Sequence, residues 1–240
     1  MAMIGLIKFF GNEQRREQFL NGLLYCNTPE FYRNYKGVGI SDYNESCIAS
    51  LRGRENDPLC NIEWSPANDI SDISVLPNAR EMTIKRAADP DAWMHCWFVL
   101  RDLQTENQLL TQTENINKVK KEFGKYMVFL PKEQIPEFTQ RLSSSSEKKL
   151  THRQVAYSSM PTDQYRFCKS EKYAYQQEYR FSFGECDIKN VAHYDFNHKD
   201  GFRDIMITNQ WIRAKKGSLS VILCNCQPIK GDRLSGHRTR

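Results

Sequence analysis

No apolar run in the chain approaches the roughly 20 residues that a membrane-spanning helix requires; the longest, residues 221–224 and 96–100, have polar neighbours close by. No spanning segment is expected, and no membrane partner. The start, Met1-Ala2-Met3-Ile4-Gly5-Leu6-Ile7-Lys8, has no basic stretch ahead of an uninterrupted apolar one. A secretory signal is therefore not expected, and the cytoplasm is the expected compartment. The eight cysteines, at positions 26, 47, 60, 96, 168, 186, 224 and 226, contain no Cys-x-x-Cys pair. Cys224 and Cys226 share a face of a β-like run, but no second pair lies nearby to complete a zinc tetrahedron, so no metal is expected. Without an export signal the thiols are expected to be free and buried. Neither a G-x-G-x-x-G nor a P-loop is present, which leaves Gly37 and Gly39 as a weak phosphate signal. No Asp/Glu/His cluster supports a nuclease; Asp69 and Asp72 read as loop residues.

What is present is the composition of a folded protein: 240 residues, 40% hydrophobic, 12% aromatic and 26% charged. The 34 basic and 29 acidic residues leave a net +5, a weak pointer to an anionic partner. Much of the excess lies late, in Arg213, Lys215, Lys216, Lys230, Arg233, Arg238 and Arg240. Residues 227–240 are expected to be a solvated basic tail, with a nucleic-acid or phosphate contact as the sharper alternative.

Residues 4–10 suit a strand, and Asn12 is placed to cap a helix that stops at Gly22. A second strand follows over 23–27. Thr28-Pro29-Glu30 resembles a helix start, and 37–42 break the pattern. Strands are expected at 47–51 and 73–76, with an irregular excursion over 52–72 between them. Trp93-Met94-His95-Cys96-Trp97-Phe98-Val99-Leu100 reads as a buried central strand before it reads as a Cys/His nucleophile. Residues 101–117 are polar and Gln-rich, a loop with marginal helix. A strand over 126–130 and a helix over 131–142 follow, then a flexible linker near 143–149. Further strands are expected at 155–157, 179–183, 191–196, 205–208 and 219–225. The sum is one interrupted α+β domain over 1–226, with split, mostly antiparallel sheets and few helices.

The most informative stretch is Lys172-Tyr173-Ala174-Tyr175-Gln176-Gln177-Glu178-Tyr179-Arg180-Phe181-Ser182-Phe183-Gly184. Alternation puts Tyr179, Phe181 and Phe183 on the core face and Glu178, Arg180 and Ser182 on the other. That second face is either an edge strand with a cross-strand ion pair or the wall of a site.

Two segments resemble a bacterial and phage family of unknown function. Its opening is matched by Leu6-Ile7-Lys8-Phe9-Phe10 and by Phe19 through Tyr32, with its G-x-L-Y-x-N-T turn at Gly22-Leu23-Leu24-Tyr25-Cys26-Asn27-Thr28. Gly39-Ile40-Ser41-Asp42-Tyr43-Asn44-Glu45 matches its Gly-Asp loop, and Lys172, Tyr175, Gln176, Glu178, Tyr179 and Arg180 match its late Q/E-x-E-Y-R signature. The layout is also similar to the ADP-ribosyltransferase superfamily. That likeness implies NAD as substrate, no metal, Glu178 as the catalytic carboxylate and Gln176, two residues before it, positioning the acceptor. It puts Lys8 where a first-strand His or Arg grips NAD, as a point charge rather than a fork. Asn27 and Thr28 would lie beside the nucleotide, Tyr25 or Tyr32 would stack on nicotinamide, and Arg180 would contact phosphate or pair with Glu178. The implied protein is a toxin or phage-defence effector that modifies RNA, DNA or a protein, with RNA favoured over DNA, and that has an antitoxin as partner. The alternative is a non-catalytic binding module of a toxin–antitoxin or phage system.

Overall fold

Short apolar runs separated by capping residues set the order of elements. The computed structural model describes residues 2–37, 39–52, 62–64, 74–76, 81–86 and 88–226, with only the backbone at 62–64, 74–76 and 224. In chain order they are β1 (Met3–Phe10), α1 (Glu13–Leu20), β2 (Leu23–Cys26), α2 (Pro29–Asn34), β3 (Ala49–Leu51), β4 (Ile62–Trp64), β5 (Ser74–Leu76), β6 (Met82–Ile84) and β7 (Asp91–Arg101). Then come α3 (Glu106–Phe123), β8 (Tyr126–Pro131), α4 (Ile135–Ser145), β9 (Leu150–Gln154), β10 (Ala156–Ser158), β11 (Cys168–Ser170), β12 (Glu178–Cys186), β13 (Tyr194–Asn197), β14 (Trp211–Lys216) and β15 (Leu219–Asn225).

The main sheet has the order β8-β1-β7-β12-β9, and all its pairings are antiparallel. β7 lies at its centre, and its near-continuous apolar sequence is explained by cover on both faces. On one side Leu6, Trp97, Val99, Phe181 and Phe183 pack with Phe19 and Leu20 of α1 and with Phe138 and Leu142 of α4. On the other, Ile7, Phe98, Leu100 and Phe129 pack with Leu109, Ile116 and Val119 of α3 and with Leu223 of β15. Alternation along each strand deals residues to the two clusters in turn.

One irregularity positions the site. β1 pairs with β7 only as far as Ile7 opposite Phe98. Beyond that point β1 continues against β8 to Phe10, while β7 runs along β12 down to Asp91. The sheet splits there, and the carbonyl of Cys96 is taken by the Lys8 side chain at 2.8 Å.

Several expectations require correction. Residues 101–117 are not a loop: Thr105 and Gln108 form a capping box that opens the 18-residue helix α3. Gln112 occupies a place in its buried stripe beside Leu109, Ile116 and Val119, and that polar interruption hid the helical period. Nor is 143–149 a linker. α4 runs to Ser145, the Ser146 amide donates to the Leu142 carbonyl, and the Lys148 ammonium sits 4.3 Å over the Trp93 ring. Residues 203–205 form a single 3-10 turn, and Ile207 makes only a bridge to Phe129. β4, β6, β9, β11 and β14 were not anticipated, and β4 lies within the expected 52–72 excursion. The 227–240 tail, Asp69 and Asp72 and most of the 52–72 excursion lie outside the described residues. Among the described residues no helix is long and apolar enough to cross a membrane.

Candidate functional site

Where β1 and β7 part, a cavity opens that is lined by Lys8, Tyr32, Glu45, Gln176, Glu178 and Arg180 on its polar side and by Ile7, Phe9, Val119 and Phe123 on its apolar side. Its volume is about 60 Å³, room for the inner end of a ligand but not for a whole dinucleotide. The polar wall is a closed network of buried ions. Lys169, on the short strand β11, donates to Gln176 Oε1 at 2.9 Å and to Glu178 Oε1 at 2.9 Å. Its ammonium also lies 3.3 Å from Glu45 Oε2 and 3.6 Å from Asp42 Oδ2. Arg180 donates from Nε to Glu178 Oε2 at 2.8 Å and grips Glu45 with both terminal nitrogens, at 2.7 and 3.0 Å. Its Nη1 also donates to the Arg166 carbonyl.

Asp42 and Glu45 enter through the Gly-Asp loop. That loop is held from behind by Arg33, whose guanidinium donates to the Glu45 carbonyl at 2.8 Å, to Glu30 at 2.8 Å and to Asp91 at 2.6 Å. Thr28 caps α2 by accepting the Phe31 amide, a bond worth about 1 kcal/mol, and so fixes the helix that carries Arg33 and Tyr32. The Glu178 amide donates to the Tyr157 hydroxyl at 2.8 Å, which anchors the start of β12.

Burial alone would push the Glu178 carboxyl up, but the Arg180 and Lys169 charges and their hydrogen bonds outweigh it and hold the group down at about 2. Glu45 is shifted the same way: burial opposes ionisation, and Arg180 and Lys169 prevail. Asp42 goes up, because burial and the nearby Glu45 charge exceed the attraction of Lys169. Lys169 is held well above its ordinary value: the three carboxylates Glu178, Glu45 and Asp42 overcome its desolvation. Lys8 differs. Burial lowers it, opposed more weakly by Cys96, Cys26 and Glu178, which raise it, and it pairs with no carboxylate among the described residues.

Of the residues expected at the site, Lys8, Tyr32, Gln176, Glu178 and Arg180 line this one cavity. Tyr25 does not reach it. Leu24 and Cys26 point inward from β2, so Tyr25 points out, 50% exposed and stacked on His193 at 4.6 Å between ring centres. Asn27 pairs through its backbone with Met94. Thr28 is spent on the helix cap. Gln176 does not present a free amide either, because its Nε2 donates to the Gly39 carbonyl at 2.9 Å while its Oε1 takes Lys169. Arg180 is engaged by the two carboxylates Glu45 and Glu178 and by the Arg166 carbonyl. The alternation of β12 places Phe181 and Phe183, with Tyr179 beside them, in the core and Glu178 and Arg180 on the cavity wall; the edge-strand alternative falls, because β12 lies between β7 and β9 and Ser182 is buried.

His95 and Cys96 form no catalytic pair. His95 accepts from the Trp97 indole at 2.9 Å and stacks on Phe19, while burial and then Lys8 hold it well below its ordinary value. The Cys96 thiol lines the cavity, where burial and then Glu178 push it up to about 12, an unreactive state. Lys169 and Glu45 were not singled out from the sequence. The signal for Lys169 was a lone charge after Phe167-Cys168; the motif lysine chosen instead, Lys172, is exposed over the Tyr173 ring.

Chemically, the wall offers a carboxylate held ionised at neutral pH, with a spare lone pair on each oxygen, and one amine that pairs with no carboxylate among the described residues. Asp42, Glu45 and Glu178 are already shared between Lys169 and Arg180, and among the described residues no group of three or more His, Cys, Asp or Glu is placed to hold a metal ion. Comparison with protein-family models, curated proteins and solved structures returns no match for this chain.

Proposed function

We propose that the chain is an NAD-dependent ADP-ribosyltransferase whose ligand enters, nicotinamide end first, where β1 and β7 part. The observation that carries this reading is the meeting of Lys8, Tyr32, Gln176 and Glu178 on one cavity. These residues come from the two separated segments that resemble the superfamily's opening and its late strand. The split between β1 and β7 also suits an ADP-ribosyltransferase-like fold.

Cleaving the nicotinamide glycosidic bond builds positive charge at the ribose carbon. A carboxylate held ionised at neutral pH stabilises that charge while it accepts from the 2′-hydroxyl. Glu178 has this state and a lone pair to spare. Lys8 supplies a point charge to a phosphate or ribose oxygen, and Tyr32, carried by α2, supplies an aromatic wall. Gln176 and Arg180 are positioning residues that orient Lys169 and Glu178. The net charge of +5 favours RNA as acceptor over protein, in the setting of a toxin or phage-defence effector restrained by a partner protein.

One observation favours a second reading, a non-catalytic binding module: both Glu178 oxygens are already held by cations. The two readings separate when the purified chain is incubated with NAD and with RNA, DNA or protein. Transferase activity releases free nicotinamide and labels one acceptor. No release with any acceptor, together with retained NAD binding, assigns the binding module instead.

A further inference from the structure

Beside the first half of α3 lies a second groove, about 390 Å³ in volume, whose lining includes Arg101, Leu103, Thr111, Gln112 and Gln177. It shares no lining residue with the cavity described above. Gln112 is 2% exposed, and its Oε1 accepts the Arg101 amide at 3.3 Å. That bond fixes which end of the side chain is left over, and the buried Nε2 has no hydrogen-bond partner. Gln177 contributes the opposite group. Its backbone is left-handed, with φ of 42°, a conformation that costs a long side chain more than it would Gly or Asn. Its carbonyl accepts the Val99 amide at 2.9 Å. This turn separates neighbours: Gln176 joins the ion network, and Gln177 lines the groove with a buried Oε1 that also lacks a partner.

One orphaned donor and one orphaned acceptor on the same groove define their ligand. An anion satisfies only Gln112 and a cation only Gln177. A group with an acceptor beside an N–H satisfies both, which is the pattern on the hydrogen-bonding edge of a nucleobase. Leu103 adds an apolar contact for the ring. We propose that this groove binds a nucleobase edge, Gln112 donating to a ring acceptor and Gln177 accepting from the adjacent amino or N–H group. The site does not depend on NAD chemistry and stands whether or not the transferase reading holds.

The test is a titration followed by heteronuclear NMR at the Gln112 side-chain amide, using 9-methyladenine, 9-methylpurine and a single-stranded oligoadenylate. The adenine shifts that amide saturably, and the purine, which lacks the amino donor, binds about tenfold or more weakly. An oligoadenylate that binds more tightly than the free base assigns the groove to nucleic acid; equal affinity assigns it to free bases. Gln112→Met and Gln177→Asn each lose about tenfold or more in affinity; the first also gives up the bond to the Arg101 amide, so affinities are compared between folded variants. Overturning results are no saturable shift at millimolar base, equal affinity for the two methylated bases, or undiminished binding by the two folded variants.

Discussion

Replacing Arg180 with Met lowers the stability of the fold by about 3–5 kcal/mol, a fall of roughly 10 °C in melting temperature for a chain of this size. The guanidinium is 1% exposed and is the common partner of Glu45 and Glu178. Removing it leaves Glu45 and Glu178 to share Lys169 with Asp42, and the loss comes from that uncompensated burial, not from the intrinsic strength of the pairs. The exposed Arg203–Glu17 pair at 2.6 Å is the internal control, and Arg203→Ala costs no more than about 1 kcal/mol.

The pH dependence has a definite sign. Glu178 sits at about 2 in the folded chain, below the roughly 4.3 of an unfolded glutamate. Its contribution is therefore complete above that unfolded value and disappears as the pH falls towards 2. Without Arg180 the carboxylate titrates closer to the unfolded value. The gap between wild type and Arg180→Met consequently narrows in acid. Urea midpoints at neutral pH and near pH 3 read both effects; a variant as stable as wild type at neutral pH would remove the ion network as the organising element of the cleft.

The second large effect is on chemistry. Glu178→Gln lowers nicotinamide release about 10²–10³-fold, because the amide keeps the shape and loses the charge that the developing oxocarbenium requires. The same change weakens the Lys169 and Arg180 contacts, so the rate is expressed per folded molecule. Glu30→Gln supplies the comparison. Glu30 pairs with Arg33 and Arg52 at 2.8 Å each and does not line the cavity, so this variant loses stability while its rate per folded molecule is unchanged. If Glu178→Gln releases nicotinamide at the wild-type rate, the carboxylate is structural.

What the sequence discloses and what it conceals divide along physical lines. Strong local chemistry was legible: Asn12 caps α1 by accepting the Arg15 amide, Thr28 caps α2, and the apolar runs of β1, β7 and β8 formed strands. The outward face of Tyr25 was also readable, since Leu24 and Cys26 alternate inward beside it. Long-range pairing was not. Nothing near Lys169 announces that Asp42, Glu45 and Glu178 will surround it, and the polar face of β12 reads equally as a solvated edge or an ion network. Gln112 looks like a surface residue until α3 is laid against the sheet. The features that misled a local reading are thus buried polar groups in apolar patterns, and they line the two cavities.

The cavity between β1 and β7 is the proposed ligand site, and Cys96 tests this directly. Its thiol lines the space, and its contact with Lys8 is through the backbone carbonyl, so Cys96→Met fills the roughly 60 Å³ cavity and leaves every charge in place. Calorimetric titration with NAD should show binding by wild type and by Cys96→Ala, and none by a folded Cys96→Met. Undiminished binding by Cys96→Met would contradict the assignment.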